Sequence, residues 1–292
     1  MLDLVRLSPL RLFPPGGEDL YRQIALLTDL SPGMEILAVP SGKGVSLEYF
    51  VREYEVHGTG VEPDARLISE AESYAKSEEL SARLSFQQGD PGDLPFRDQT
   101  FDMVVGDVGL AASVPPEQAI RELVRVVRPT GRVVLVQLVW KAPVDEERGA
   151  ILSTHLGARP LMAVELRRIL KDAGVGELHT EDWTDQGTAF RGQAKKPFPD
   201  FTELFSFMQK LGILRRAWRR WGWRGVRTLF QREAEVHRLL TRERILGLNL
   251  VVGVKSGPAP GAEEKPEGAT GQEATEEDTE TSGLPLFVAD ED

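Results

Sequence analysis

The sequence predicts an α/β fold whose centre is a mostly parallel β-sheet. Between residues 34 and 141, short runs of β-branched and other apolar residues alternate with longer helical patterns, which is typical of βαβ units. A glycine-rich turn follows the first run, and acidic residues stand at the ends of the second and third runs. Ligands of open α/β sheets bind at this edge, so a binding site is predicted there.

Seven strands and four helices are predicted from this pattern. The strands cover residues 35–39, 56–62, 83–87, 101–106, 132–139, 177–183 and 246–254. The helices cover residues 45–54, 64–76, 116–127 and 161–173. Pro115 and Pro116 mark the start of the third helix, where proline is well tolerated. This helix should end at the turn 128–131, which contains a proline that stops a helix and a glycine that permits a tight bend.

Composition divides the chain into an N-terminal helical segment at 1–30, a main domain at 31–256 and a tail at 257–292. The tail holds eleven acidic residues and one lysine, and therefore nearly all of the formal net charge of −11. Because the rest of the chain is nearly neutral, a strongly basic nucleic-acid-binding protein is disfavoured. The tail is rich in Gly, Pro, Ala, Glu and Thr without a hydrophobic pattern, which predicts disorder.

Several classes of site are excluded by composition. The chain has no cysteine, so disulfides, thiolate zinc sites, iron–sulfur clusters and cysteine nucleophiles are ruled out. No metal-ligand spacing is present, and no metal site is predicted. The first residues break their apolar stretches with Asp3, Arg6 and Pro9, unlike a signal peptide. No run approaches the roughly 18 apolar residues of a membrane span, so we expect a soluble, cytoplasmic protein.

The turn after the first predicted strand is the most informative stretch. Ser41, Gly42, Lys43 and Gly44 form a Gly-x-Gly turn that leads into a helix. Glycine lets the backbone approach a ligand closely, and free amides at a helix start favour an anionic group. A purely structural turn is the alternative. Binding is favoured by Glu62 at the end of the second strand, where a carboxylate can accept both ribose hydroxyls of an adenosine-bearing cofactor.

Asp90 adds a second acidic residue at the same edge, because it follows the third predicted strand. A nicotinamide cofactor is disfavoured, since its fingerprint requires a glycine three residues after Gly44, where this chain has Leu47. The phosphate-binding pattern Gly-x-x-x-x-Gly-Lys-Ser/Thr is also missing from the sequence.

Five motifs in order resemble the class I S-adenosylmethionine-dependent methyltransferases, most closely the branch that contains quinone-biosynthesis and other small-molecule enzymes. The motifs cover residues 36–44, 60–63, 88–96, 101–105 and 119–131. The resemblance implies a Rossmann-like sheet of seven strands with an antiparallel last strand. It also implies S-adenosylmethionine as the cofactor, and methyl transfer to a small-molecule or lipid-like acceptor as the reaction.

The resemblance assigns roles to the residues of the edge by their position. Ser41, Gly42, Lys43 and Gly44 would cradle the methionine end of the cofactor. Glu62 would bind the ribose, and Asp90 would contact the adenine.

Two positions depart from the family pattern. Ala38 stands where the family usually has an acidic residue, and Pro40 where it usually has a glycine. They motivate an alternative, a non-catalytic binding protein on the same fold, whose basic helix contacts a membrane surface or an acidic partner.

Methyl transfer from a sulfonium is an in-line displacement, which a protein accelerates chiefly by alignment and by exclusion of water. A general base is needed only for some acceptors. The candidates by position are Asp107, just past the fourth strand, and His155, past the fifth. The alternatives are a solvated loop carboxylate for Asp107 and a surface or core histidine for His155.

The segment 187–245 is too long for a plain connection between strands, so we expect a helical lid that defines the acceptor. Apolar residues recur along one side of its first helix at three- and four-residue spacing. They are Phe201, Leu204, Phe205, Met208, Leu211, Leu214, Trp218 and Trp221. We expect this stripe to pack on the sheet. The alternatives are contact of 201–232 with a membrane surface, which suits a lipid-like acceptor, and pairing of its arginines with nucleic acid, with an acidic partner or with the tail. The tail is itself a candidate to dock a protein partner.

Overall fold

A single β-sheet forms the centre of the described part of the chain, which covers residues 10–184, 206–241 and 243–257 of a computed structural model. Its strands are β1 (Glu35–Val39), β2 (His57–Glu62), β3 (Leu84–Gln88), β4 (Phe101–Gly106), β5 (Val127–Trp140), β6 (Leu161–Met162), β7 (Val175–Asp182) and β8 (Leu246–Lys255). Seven of them lie in the order β3-β2-β1-β4-β5-β8-β7, and the short β6 pairs with β5.

The direction of the strands confirms the predicted fold class. Strands β1 to β5 pair in parallel, whereas β8 runs antiparallel to both of its neighbours, β5 and β7. Ala38 lies beside Gly60 of β2, and Val39 lies beside Gly106 of β4. The carboxyl ends of the three central strands therefore meet at one edge of a Rossmann-like sheet, where the glycine turn begins.

Seven described helices accompany the sheet. They are α1 (Gly17–Leu27), α2 (Val45–Tyr54), α3 (Ala65–Ser77), α4 (Pro116–Val126), α5 (Glu146–Leu156), α6 (Ala163–Asp172) and α7 (Phe207–Thr241). The predicted bounds of α2 match the structure, and those of α3 and α4 differ by one residue.

Three local predictions are wrong. Residues 128–131 belong to β5 rather than to a turn. They form an irregular stretch of the strand, at which the pairing of β5 with β4 shifts its register. Thr130 takes a positive φ of 63° at this irregularity. The predicted helix 161–173 starts two residues late because Leu161 and Met162 pair with β5. Helix α5 was not predicted, because its apolar residues do not follow one side of the helix.

The core lies on both faces of the sheet, since successive strand residues point to opposite sides. Ile36 and Ala38 of β1 pack with Leu20 of α1 on one face. Leu37 packs with Leu123 of α4 on the other. Burial on both faces explains why the central strands are continuous apolar runs.

Helix α7 forms the described part of the segment predicted to be a lid, and it is kinked at Gly222. Its buried side chains Ile213, Ala217 and Val226 pack with Leu10 and Leu12 of the N-terminal segment, whereas Val236 and Leu239 are buried in the main core. None of the described helices combines the length and the apolar content that crossing a membrane requires.

The prediction that the whole apolar stripe of α7 packs inward is wrong. Met208, Leu211 and Trp218 are exposed, whereas Leu214 and Trp221 are half-buried against the cluster on the other side. The helix contacts the N-terminal segment through Ile213 and Ala217, so the side chains on its opposite side face solvent. Phe201, Leu204 and Phe205, and the tail from residue 258 onward, lie outside the described residues.

Candidate functional site

The glycine turn lies at the carboxyl edge of the sheet and is tied to β2. The amide of Ser41 donates to the carbonyl of Val61 at 2.9 Å, and the amide of Gly44 donates back to the carbonyl of Ser41 at 2.9 Å. Gly42 and Gly44 have φ angles of 54° and 74°. Side chains with a Cβ rarely adopt this left-handed region, so the conformation of the turn depends on glycine.

The two glycines differ in the space around them. A Cβ on Gly44 would lie 2.3 Å from Cζ of Phe86, whereas a Cβ on Gly42 would meet nothing within 4 Å. The Phe86 ring is confined on its other side, because a Cβ on Gly60 would lie 2.5 Å from Cδ1 of the same ring. The turn therefore packs directly on an aromatic ring of β3, and the side of Gly42 stays open to a ligand.

Alanine substitutions at Gly42 and Gly44 should distinguish the cost of a left-handed backbone from the cost of a clash with Phe86. We expect Gly42→Ala to lower the free energy of unfolding by about 1 kcal/mol, the cost of a left-handed alanine. We expect Gly44→Ala to lower it by about 3 kcal/mol, because it also presses on Phe86. Urea unfolding of both variants measures the difference, and equal losses would contradict the packing described for Gly44.

Ser41 carries a polar atom that the described protein does not satisfy. Its side chain is buried, and its Oγ has no hydrogen-bond partner among the described residues. A buried hydroxyl without a partner costs free energy, so such atoms in a native protein call for an explanation. An open glycine turn beside an unsatisfied hydroxyl fits the polar methionine end of S-adenosylmethionine.

Glu62 ends β2 with a buried carboxylate that faces the turn. Its Oε2 accepts from the amide of Gly42 at 3.0 Å, and its Oε1 accepts from the amide of Asp64 at 3.2 Å. A carboxylate has about four acceptor positions, so it can serve hydroxyl donors as well as amides. The structure therefore brings Glu62 and the glycine turn into direct contact, as a shared cofactor site requires.

Lys43 points its side chain away from the turn. Its Nζ forms an ion pair with Oε2 of Glu70 on α3 at 2.9 Å, which leaves the backbone of Lys43 to face the site. The carbonyl of Lys43 accepts from Nη2 of Arg11 at 2.9 Å, and Arg11 also lies over the Tyr74 ring. The sequence did not single out Arg11, because nothing local links it to a turn 32 residues further on.

Asp90 lies at the same edge but in solvent. It follows Gln88, which pairs with Glu62 across β2 and β3. Its Oδ1 accepts from the amide of Gly92 at 2.7 Å, and its carbonyl accepts from the amide of Asp93. These bonds hold the loop after β3 in a tight turn, with Asp90 exposed beside the edge.

Asp107 is the second buried acidic residue of the edge. Its amide donates to the carbonyl of Val39, immediately before the glycine turn. Burial raises the pKa of its carboxyl to about 6, although hydrogen bonds from Tyr21 and from the amide of Val108 oppose this rise. Asp107 is therefore a carboxyl group that exchanges its proton close to neutral pH.

Tyr21 of α1 is the partner that the sequence analysis missed. Its hydroxyl donates to Oδ2 of Asp107 at 2.5 Å. Burial, and then the neighbouring carboxylate of Asp107, hold the pKa of this phenol well above its usual value, so it remains a donor. The sequence contains one indication of this role, since Tyr21 occupies a buried position of an amphipathic helix and a buried phenol hydroxyl needs a polar partner.

Two further features surround Asp107. Gln137 of β5 donates from Nε2 to the carbonyls of Gly106 and Asp107 at 2.9 and 2.8 Å. A narrow crevice, with room for about one water molecule, is lined in part by Gln137. Its walls are mostly apolar and include Leu110, Ala111, Ile120, Leu135 and Leu161.

His155 lies on α5, and its side chain is outside the described part of the structure. The end of α5 nevertheless approaches the loop after β4. The carbonyl of Gly157 would lie 3.3 Å from a Cβ on Gly109.

Comparison with known proteins adds to this geometry. Residues 37–135 match the family described as Methyltransferase domain. The Methyltransferase GfsG of Streptomyces halstedii is 26% identical over 209 residues, which are 70% of this chain and 74% of that protein. The demethylmenaquinone methyltransferase of Streptomyces griseus is 28% identical over 198 residues, which are 68% of this chain and 76% of that protein.

A solved structure shows the same fold. The [4+2]-cyclase SpnF superposes with a TM-score of 0.62 at 22% identity, over 82% of this chain and 81% of that chain. The family match spans the glycine turn, Glu62, Asp90 and Asp107. Residues 37–135 are thus a methyltransferase domain, and the match, the relatives and the arrangement of the edge support a class I S-adenosylmethionine-dependent methyltransferase, with S-adenosylmethionine as its cofactor.

Proposed function

We propose that the protein transfers the methyl group of S-adenosylmethionine to a small or lipid-like acceptor with an apolar body. The observation that carries this proposal is the composition of the interior. Among the described residues, Glu62 and Asp107 are the only buried charged side chains. A site with so few buried charges favours an acceptor that is mostly apolar, because an ionic acceptor would need buried partners of opposite charge.

The cofactor-binding roles follow the geometry of the edge. The backbone of Ser41, Gly42, Lys43 and Gly44 holds the methionine end, and the Oγ of Ser41 gains there the partner that it lacks among the described residues. Glu62 accepts the ribose hydroxyls, and Asp90 contacts the adenine. When bound, S-adenosylmethionine supplies the methyl group.

Asp107 is the residue best placed to handle a proton. With a pKa of about 6, its carboxyl suits a general base that works near neutral pH. Tyr21 donates to Oδ2, and the amide of Val108 donates to Oδ1 at 3.1 Å. A carboxylate has about four acceptor positions, so a position remains for the proton of an acceptor hydroxyl or acidic carbon. His155 remains a second candidate by its place in the chain.

The class of acceptor is supported by two observations. The crevice next to Gln137 has mostly apolar walls. The relative from Streptomyces griseus, which aligns with most of this chain, is named for a demethylmenaquinone. A quinol-like or similar apolar acceptor is therefore favoured over a polar amine.

Transfer of a deuterated methyl group tests this proposal. We expect the 292-residue chain, given labelled S-adenosylmethionine, to label a demethylmenaquinone-type quinol and to leave phosphoethanolamine unlabelled, as followed by mass spectrometry. Calorimetric titration with S-adenosylmethionine shows in parallel whether the cofactor site is intact. Labelling of the polar amine alone would overturn the proposed acceptor class, and cofactor binding without transfer to any apolar acceptor would do the same.

A further inference from the structure

Helix α7 exposes an unusual set of large apolar side chains. Met208, Leu211, Trp218, Trp223 and Phe230 are 73, 51, 56, 70 and 46% exposed. They account for five of the nine exposed large hydrophobic residues in the described part of the chain. We call these five residues the outer face of α7; Met208, Leu211 and Trp218 precede the kink at Gly222, and Trp223 and Phe230 follow it. Isolated exposed hydrophobic residues are normal, but a group of this size on one helix marks an interaction surface.

The same helix carries a block of positive charge. Between Ser206 and Arg232 there are eight basic residues and no acidic one. The basic residues are Lys210, Arg215, Arg216, Arg219, Arg220, Arg224, Arg227 and Arg232. Further along α7 the pattern changes, since Arg238 pairs with Glu235 and Glu243. Within residues 206–232, no acidic residue therefore stands next to these arginines in the sequence, in contrast to the end of the helix.

The arrangement around the helix axis brings the two features together. At 100° per residue, Arg215 and Arg219 lie on the same side as Met208, Leu211 and Trp218. Ile213 and Ala217 lie opposite and are buried. A face in contact with water alone carries mostly polar side chains, and a face buried in protein carries few arginines. Exposed aromatic side chains interleaved with arginines suit the boundary between lipid headgroups and acyl chains.

We propose that the outer face of α7 binds the surface of a bilayer that contains anionic lipids. The indole rings of Trp218 and Trp223 enter the headgroup region, and the arginines beside them contact lipid phosphates. Long arginine stems let the aliphatic part lie along the apolar layer while the guanidinium stays at the headgroups. This inference concerns α7 alone, so it holds or fails independently of the proposed acceptor.

Vesicle flotation of the 292-residue chain tests the inference. We expect binding to vesicles of phosphatidylglycerol and phosphatidylcholine, much weaker binding to phosphatidylcholine alone, and a blue shift of tryptophan emission on binding. The double variant Arg215→Glu/Arg219→Glu should bind anionic vesicles at least about tenfold more weakly, because each basic residue near the surface contributes about 1 kcal/mol. Trp218→Ser/Trp223→Ser should weaken binding and remove most of the blue shift.

A matched control makes the same change in net charge at two arginines outside α7. Arg83 and Arg97 are exposed and lie far from α7 in sequence, so Arg83→Glu/Arg97→Glu should leave vesicle binding nearly unchanged. Equal losses in the two charge-reversed variants would overturn the inference, because net charge alone would then govern binding. Failure of the unaltered chain to float at low salt would also overturn it. Tighter binding to a duplex oligonucleotide than to anionic vesicles at the same salt would assign the face to nucleic acid instead.

Discussion

Glu62→Gln is expected to weaken the binding of S-adenosylmethionine by at least about 100-fold, measured by calorimetric titration. A hydrogen bond to a charged group contributes about 1.5 to 3 kcal/mol, and the carboxylate is proposed to accept two ribose hydroxyls. Glutamine keeps the size of the side chain but offers one acceptor oxygen and no charge. Loss of a single strong bond would already account for about a tenfold change.

The control for this prediction is Glu72→Gln, because Glu72 is an exposed residue on the neighbouring helix α3. It should bind the cofactor like the unaltered chain. Glu62 also accepts the amides of Gly42 and Asp64, so its variant has to be checked for folding by urea unfolding. A folded Glu62→Gln protein with normal affinity would refute the assigned role of Glu62.

The stability of the protein should fall between about pH 4 and pH 6 because of Asp107. The folded state raises the pKa of this carboxyl from 3.8 to about 6. In this window the folded state holds the proton that the unfolded state has released, so the free energy of unfolding decreases as the pH rises. The rise of about two units in this pKa lowers the free energy of unfolding by about 3 kcal/mol at pH values above 6, relative to its value below pH 4. The measurement is urea unfolding from pH 4 to pH 8, compared with Asp107→Asn.

The comparison with Asp107→Asn isolates one group, since all other carboxyls titrate in both proteins. The difference between the two unfolding free energies should shift by a few kcal/mol across the window and then stay level. In Tyr21→Phe the window should extend to higher pH, because the phenol hydroxyl opposes the rise in the pKa of Asp107. A difference that is independent of pH would show that Asp107 is not buried as a titrating group.

The central sheet and the cofactor edge could be predicted because their signals are local. Strand β1 and helix α2 have the predicted bounds, since a buried apolar run and a glycine turn mark both. Glu62 was found in the same way, by its place at the end of a strand. These residues lie within about 30 positions of one another, inside one βαβ unit.

What escaped prediction depends on contacts between distant parts of the chain. Tyr21 meets Asp107 across 86 residues, and no spacing in the sequence records that meeting. Helix α7 has apolar residues on two sides, so periodicity alone could not show that Ile213 and Ala217 face inward. The inward side of the helix is the side that contacts Leu10 and Leu12. These two leucines form too short a pattern for this contact to be predicted from the sequence.

Residues 10–12 contact both α7 and the glycine turn. The two leucines lie against α7, and the arginine between them holds the carbonyl of Lys43 in the glycine turn. A ligand on α7 that favoured one arrangement of this segment would therefore change the affinity of the turn for its own ligand. Such linkage is reciprocal, so occupation of the turn alters the affinity at α7 by the same factor.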